Sequence, residues 1–170
     1  LNVHFDETAT SNIIGYRGSA SRAAVALAMS GQKAKALEIL DLASKEIPTS
    51  KYNDPRSLSS MVNAYIVAGE EKKGLELAEV LKKGDFDEYD YYLSLSKSDQ
   101  RFLGRQMRTK PMEYSLVVSS VIDAYKTLGQ NEKAYSYLLK SIEPINKKFN
   151  VFVQDLKQMG KQKAMKESEN

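Results

Sequence analysis

Few side chains in this chain could do chemistry, and they are scattered. His4 is the single histidine, cysteine is absent, and one acidic cluster stands out: Asp85, Asp87, Glu88 and Asp90. A lone imidazole without thiolates cannot assemble a zinc site, so His4 reads as incidental. Without cysteine there is no disulfide framework and no thiolate chemistry, in any compartment. The acidic cluster invites comparison with a calcium loop or a glycosidase pair. It lacks the Asp-x-Asp-x-Asp-Gly spacing of the former. Asp87 and Glu88 at a helix start would equally well face the positive end of the helix dipole, and that reading is preferred. No Gly-x-Ser-x-Gly elbow and no phosphate-cradling glycine loop occurs. No residue is therefore assigned as catalytic, metal-ligating or cofactor-binding, and no enzyme activity is expected of this chain by itself.

Surfaces that could bind are easier to find. Between Lys97 and Lys110 the basic residues Lys97, Arg101, Arg105, Arg108 and Lys110 face only Asp99. Arg101, Arg105 and Arg108 are spaced i, i+4, i+7 and form a stripe on one helical face. Such a stripe could contact anionic lipid headgroups or a partner's acidic surface. The simpler expectation is that it pairs with the preceding acidic cluster inside the same domain. Tyr89, Tyr91 and Tyr92 could stack on sugars, but such rings more often plug gaps between helix pairs. Lys72-Lys73, Lys82-Lys83 and Lys147-Lys148 read as solvated pairs. The net charge of +3 is too small to argue for nucleic acid.

The elements that would position these residues come from a repeated hexapeptide shape. It occurs as Ala26-Leu27-Ala28-Met29-Ser30-Gly31, Ala64-Tyr65-Ile66-Val67-Ala68-Gly69 and Ala124-Tyr125-Lys126-Thr127-Leu128-Gly129. Five residues after each glycine stands another small residue: Ala36, Gly74 or Ala134. Glycine ends a helix in a left-handed cap, and a small residue one turn into the next helix permits a close antiparallel crossing. The pattern predicts hairpins over about 16–30 with 32–46, 56–68 with 70–83, and 112–128 with 131–146. Asp54-Pro55 reads as an N-cap followed by an N1 proline. The cap glycines are 69 − 31 = 38 and 129 − 69 = 60 residues apart. The extra length predicts an inserted pair of short helices, about 87–96 and 98–107, with Ser98 as a cap and Lys110-Pro111 as a breaker.

Residues 1–15 read as a polar lead-in with a short extended piece at Val3-His4-Phe5, residues 16–165 as a single helical domain, and 166–170 as a frayed tail. A last helix over about 148–165 would place Val151, Phe152, Leu156 and Met159 on one side as a cap. The fold class is all-α, with about nine helices. The 42% apolar and 28% charged composition suits a globular domain, and the apolar runs are far too short to span a bilayer.

The period, the helix-turn-helix units and the residues Leu27, Gly31, Ala36, Leu40, Ala43 and Pro48 resemble tetratricopeptide repeats. The third unit matches at Tyr125, Gly129, Ala134 and Leu138, and the second departs at Gly74. The resemblance implies a right-handed array whose first helices line a concave face for a protein or peptide partner. In that register lie Ser21 and Val25, then Arg56, Ser59 and Asn63, then Ser119, Asp123 and Lys126. Only Asn63 matches the basic and amide clamp that holds C-terminal carboxylates in co-chaperones, so no such activity is expected.

A second resemblance covers the first hundred residues. Val3-His4-Phe5-Asp6-Glu7, Tyr16-Arg17 before the alanine-rich helix, Ala64-Tyr65-x-x-Ala-Gly-Glu-Glu-Lys-Lys-Gly and Tyr91-Tyr92-Leu93-Ser94-Leu95 look like the tail of a bacterial multi-pass membrane protein family of unknown function. Its membrane part is similar to protein O-mannosyltransferases. The resemblance implies a soluble C-terminal domain of an inner-membrane protein, on the periplasmic side, attached through an N-terminal membrane part that this chain lacks. The alternative is a free-standing cytoplasmic adaptor with the same architecture.

Overall fold

The computed structural model describes residues 7–144 and 147, and among them it is all-helical. Helices α1 (Glu7–Met29), α2 (Lys33–Glu46), α3 (Pro55–Ala68), α4 (Glu71–Ser94), α5 (Lys97–Phe102) and α6 (Gly104–Thr127) are followed by α7, residues 131–144. α1 with α2, α3 with α4, and α6 with α7 form the hairpins. α1 packs on α3, α3 on α6, and α4 on α6, so successive hairpins stack side by side.

The three hairpin turns are built alike. Gly31, Gly69 and Gly129 have φ of +83°, +104° and +72°, a left-handed conformation that costs other residues a steric penalty. The residue after each glycine donates back five residues: Gln32 to the Leu27 carbonyl, Glu70 to Tyr65 and Gln130 to Tyr125, at 2.8, 2.9 and 2.8 Å. Each bond closes a helix end that would otherwise leave a carbonyl unsatisfied.

Stacking between hairpins also repeats. Tyr65 receives the Lys73 ammonium over its ring at 4.4 Å, and Lys73 pairs with Asp41 of the preceding hairpin. Tyr125 receives Lys133 at 5.6 Å, and both bond Glu71 of the preceding hairpin, Tyr125 Oη at 2.8 Å and Lys133 Nζ at 2.9 Å. In each case the lysine follows the tyrosine by 73 − 65 = 133 − 125 = 8 residues. The spacing carries the chain over the glycine turn and back to the same level.

α3 is the centre of the stack. Ser57, Leu58, Ser59, Met61, Val62 and every residue from Ala64 to Ala68 are buried, because α1, α2, α4 and α6 all lie against it. Its start is set by Asp54, whose Oδ2 accepts from the Ser57 amide at 2.8 Å, and by Pro55 at the first helical position. Arg17 of α1 is fully buried and ties three segments together. Its Nη1 donates to Ser57 Oγ at 3.1 Å, and its Nη2 to the carbonyls of Ile47 and Tyr52 at 2.8 and 2.9 Å.

Several boundaries differ from expectation. α1 starts at Glu7, two turns before the predicted start near 16, since Ile13 and Arg17 are both buried and anchor its first half. α4 does not stop near 83 but runs to Ser94. There is no separate helix at 87–96. α5 is capped by Ser96 rather than Ser98: Ser96 Oγ accepts from the Asp99 amide at 3.2 Å. α6 passes straight through Pro111. An interior proline costs about 3 kcal/mol. Buried Met107 and Tyr114 pack on Tyr89, and Phe86 stacks on Tyr114 at 4.8 Å between centroids, which holds the helix on both sides of the proline. The added length between the second and third glycines is thus spent on lengthening α4 and α6 around a second small core.

Seven helices are present among the described residues, where eight of the nine expected fall, because the region of the inserted pair is taken up by the extended α4 and by α5. Leu138 and Leu139, expected inward, are exposed, because α7 packs through Ala134, Tyr137 and Ser141. Val3-His4-Phe5, the predicted last helix at 148–165 and the tail at 166–170 lie outside the described residues.

Ala36 and Ala134 are buried, and buried Gly74 marks a close approach of α4 to α3. A Cβ there would stand 2.6 Å from Ile66 Cγ1 and 2.9 Å from the Val62 carbonyl oxygen. Gly74→Ala should therefore destabilise the protein by about 1–3 kcal/mol in urea unfolding. In an unobstructed helix interior the same change would stabilise by roughly 1 kcal/mol, so the sign of the shift decides.

Candidate functional site

α6 presents one continuous outward ridge. Arg105, Arg108, Met112, Leu116, Ser119, Asp123 and Lys126 are all exposed, and their spacing places them within one side of a helix. The opposite side, from Met107 and Tyr114 to Val121 and Tyr125, is buried. Two groups that the sequence suggested separately, the basic stripe and the third set of concave positions, are therefore neighbours on one helix. Arg101 sits one turn earlier on α5. Met112 and Leu116, which sequence reasoning did not single out, lie between the two groups at 72% and 40% exposure. Their signal was the same periodicity that marks the arginines, continued across Pro111.

The remaining concave positions are placed differently. Arg56 is exposed and pairs with Asp54 at 3.1 Å. Ser59 is buried and donates to the Arg56 carbonyl at 3.1 Å. Asn63 is half-buried, and its Nδ2 donates to the Ser120 carbonyl at 3.1 Å, joining α3 to α6. Of the first unit, Ser21 is buried and donates to the Arg17 carbonyl, and Val25 is packed against the core. With α3 covered by its neighbours, these side chains hold helices together.

The acidic cluster divides around α4. Asp87 and Asp90 are exposed, while Asp85 points inward at 2% exposure. The charge it meets is Lys110, which the sequence suggested as the end of the basic stretch and as part of a helix break. Lys110 Nζ lies 2.6 Å from Glu88, 2.8 Å from Glu113 and 3.7 Å from Asp85. Burial works against its charge, but the bonds to Glu113 and Glu88 outweigh this and hold the ammonium above the usual lysine range. The expected pairing of Arg101, Arg105 and Arg108 with the cluster does not form: among the described residues these arginines make no ion pair, and Lys110 takes their place.

Asp85 Oδ2 accepts no hydrogen bond. Beside Glu113 it can pair only by carrying a proton itself. Burial first, opposed by Lys110 and reinforced by Glu113 and Glu88, pushes the Asp85 carboxyl up to about 7. The group is enclosed by packed helices, so its protonation bears on stability.

A cleft of about 500 Å³ opens between α4, α6 and α7. Phe86, Tyr114 and Tyr137 line it together with Lys82, whose ammonium bonds Glu79 at 2.6 Å and lies over the Tyr137 and Tyr114 rings at 5.1 and 5.8 Å. Of the tyrosines considered for sugar stacking, Tyr89 is fully buried, Tyr92 is half-buried and Tyr91 is 61% exposed. Tyr89 fills the α4–α6 gap. Among the described residues no three histidine, aspartate or glutamate side chains converge as metal ligands, and no helix is long and apolar enough to cross a membrane. Comparison with protein-family models, curated proteins and solved structures finds no match to this chain.

The raised Asp85 carboxyl fixes the sign of a pH effect. Its folded pKa lies above the unfolded value of 3.8, so the stability carried by its bound proton is complete below about 4 and lost as pH rises to about 7. Unfolding free energy should fall by about 2 kcal/mol between pH 5 and pH 8 through this group. Asp85→Asn should remove that slope and leave the protein at least as stable as the parent at pH 8, measured by denaturant titration at both pH values.

Proposed function

We propose that this chain is a non-catalytic interaction scaffold of tetratricopeptide-like hairpins, the soluble tail of a membrane glycosyltransferase-like protein, which holds a protein or peptide partner along α6. The stacked hairpins, their three left-handed glycine caps and the repeated tyrosine–lysine–carboxylate junctions support the repeat reading. The resemblance of the first hundred residues to tails of O-mannosyltransferase-like membrane proteins supports the address, on the periplasmic side.

One observation carries the choice of surface. α3, which would floor a concave groove, is buried almost throughout, whereas the lower ridge of α6 leaves Leu116, Ser119, Asp123 and Lys126 exposed. An apolar side chain beside a hydroxyl and two opposite charges suits a polar, helix-sized partner segment better than a small molecule. Asp85 and Lys110, both shifted strongly upward, are buried together as a structural pair. That arrangement supports a scaffold rather than a reaction centre.

Photo-crosslinking amino acids at Ser119 and Lys126 should capture one and the same protein in cells. One at Lys45, exposed on α2, should capture nothing above background. Equal capture from Lys45, or no common product from the two α6 positions, would contradict the assignment.

A further inference from the structure

We infer that the corner where α5 meets α6 is a docking surface for a bilayer containing anionic phospholipid. Phe102, the last residue of α5, is 86% exposed. It follows Arg101 and comes three residues before Arg105, and on α6 Met112 continues the side of Arg105 and Arg108 at 72% exposure. An isolated apolar side chain on a surface is ordinary. Two large ones within a dozen residues that also carry three exposed cations with no carboxylate partner among the described residues are not.

Three of the nearby carboxylates are committed elsewhere, and no ion pair among the described residues joins Asp87 or Asp90 of α4 to the arginines. Asp99 accepts from Ser96 Oγ at 2.6 Å, and Glu88 and Glu113 bond Lys110. The basic charge therefore faces outward. Long guanidinium side chains reach phosphate oxygens while their stems lie along apolar surface, and an aromatic ring between them sinks to the boundary of the acyl chains. The attraction is worth about 1 kcal/mol per basic residue near an anionic surface.

A folded protein partner fits less well, since a ring and a thioether raised on a convex ridge need a preformed pocket, whereas a bilayer deforms around them. A single-stranded nucleic acid would need a series of aromatic platforms in a groove, and here one ring stands on a ridge. Met112 at the corner and Leu116 of the lower ridge are one turn apart, so the two surfaces adjoin along α6. The inference does not depend on the membrane-tail reading, because a free-standing adaptor could carry the same corner.

The chain has no tryptophan, so Phe102→Trp supplies a single reporter at the proposed point of insertion. With phosphatidylcholine vesicles containing about one-third phosphatidylglycerol, its emission should shift to the blue, and with pure phosphatidylcholine it should not. Adding Arg101→Gln, Arg105→Gln and Arg108→Gln should weaken binding roughly a hundredfold. All three sites are exposed, and circular dichroism checks that the variants remain folded. A Leu42→Trp reporter on α2 should not shift. The inference is overturned if anionic vesicles leave Phe102→Trp unchanged, if neutral vesicles shift it equally, or if the arginine variants bind as the parent does. A Leu42→Trp shift of equal size also overturns it, as does a response to a single-stranded oligonucleotide and not to vesicles.

Discussion

The enclosure of α3 governs everything around it. A helix of fourteen residues with neighbours on four sides must be small or apolar nearly all round, and Leu58, Met61, Val62, Ala64 and Ile66 to Ala68 satisfy this. Its polar groups are placed where a neighbour can answer them: Ser57 by Arg17, Tyr65 by Ser44 and Asp41, Asn63 by the Ser120 carbonyl. Against α4 the contact is close enough that only a residue without a Cβ fits at Gly74. Such a helix has little surface left for a ligand, and the binding positions move outward to α6.

Charge is partitioned in the same way. Asp85 and Glu88 of α4 and Glu113 of α6 turn toward a buried lysine, and the arginines of α5 and α6 turn toward solvent. Two nearby basic segments thus have opposite roles. Lys110 is held by three carboxylates around a buried helix junction. Arg105 and Arg108, a few residues earlier on the same helix, remain available. A helix turns by about 100° per residue, which suffices to separate an interior cation from an exterior stripe.

Much of the architecture was legible in the sequence. The glycine caps, the small residues at 36, 74 and 134 and the Asp54-Pro55 start act locally, through backbone conformation and one-turn spacing. The tyrosine–lysine spacing at the hairpin junctions was also present, although its meaning needs the carboxylate of the preceding hairpin. What escaped was set by distant contacts. The first half of α1 is polar and gains its order from Arg17 reaching Ile47 and Tyr52. Pro111 is a breaker by local rules, yet packing on both sides carries the helix through it. Of the candidate site, the α6 positions fell on one outward face, while Ser59 and Asn63 were claimed by helix packing that no local pattern announces.

Native-state hydrogen exchange tests the central role of α3 most directly. The amides of Met61 to Val67 should exchange only through global unfolding, with the same free energy that denaturant titration gives, while α5 exchanges through small local openings. If the α3 amides open at markedly lower free energy while those of α1 or α6 stay protected, α3 is not the helix on which the stack closes.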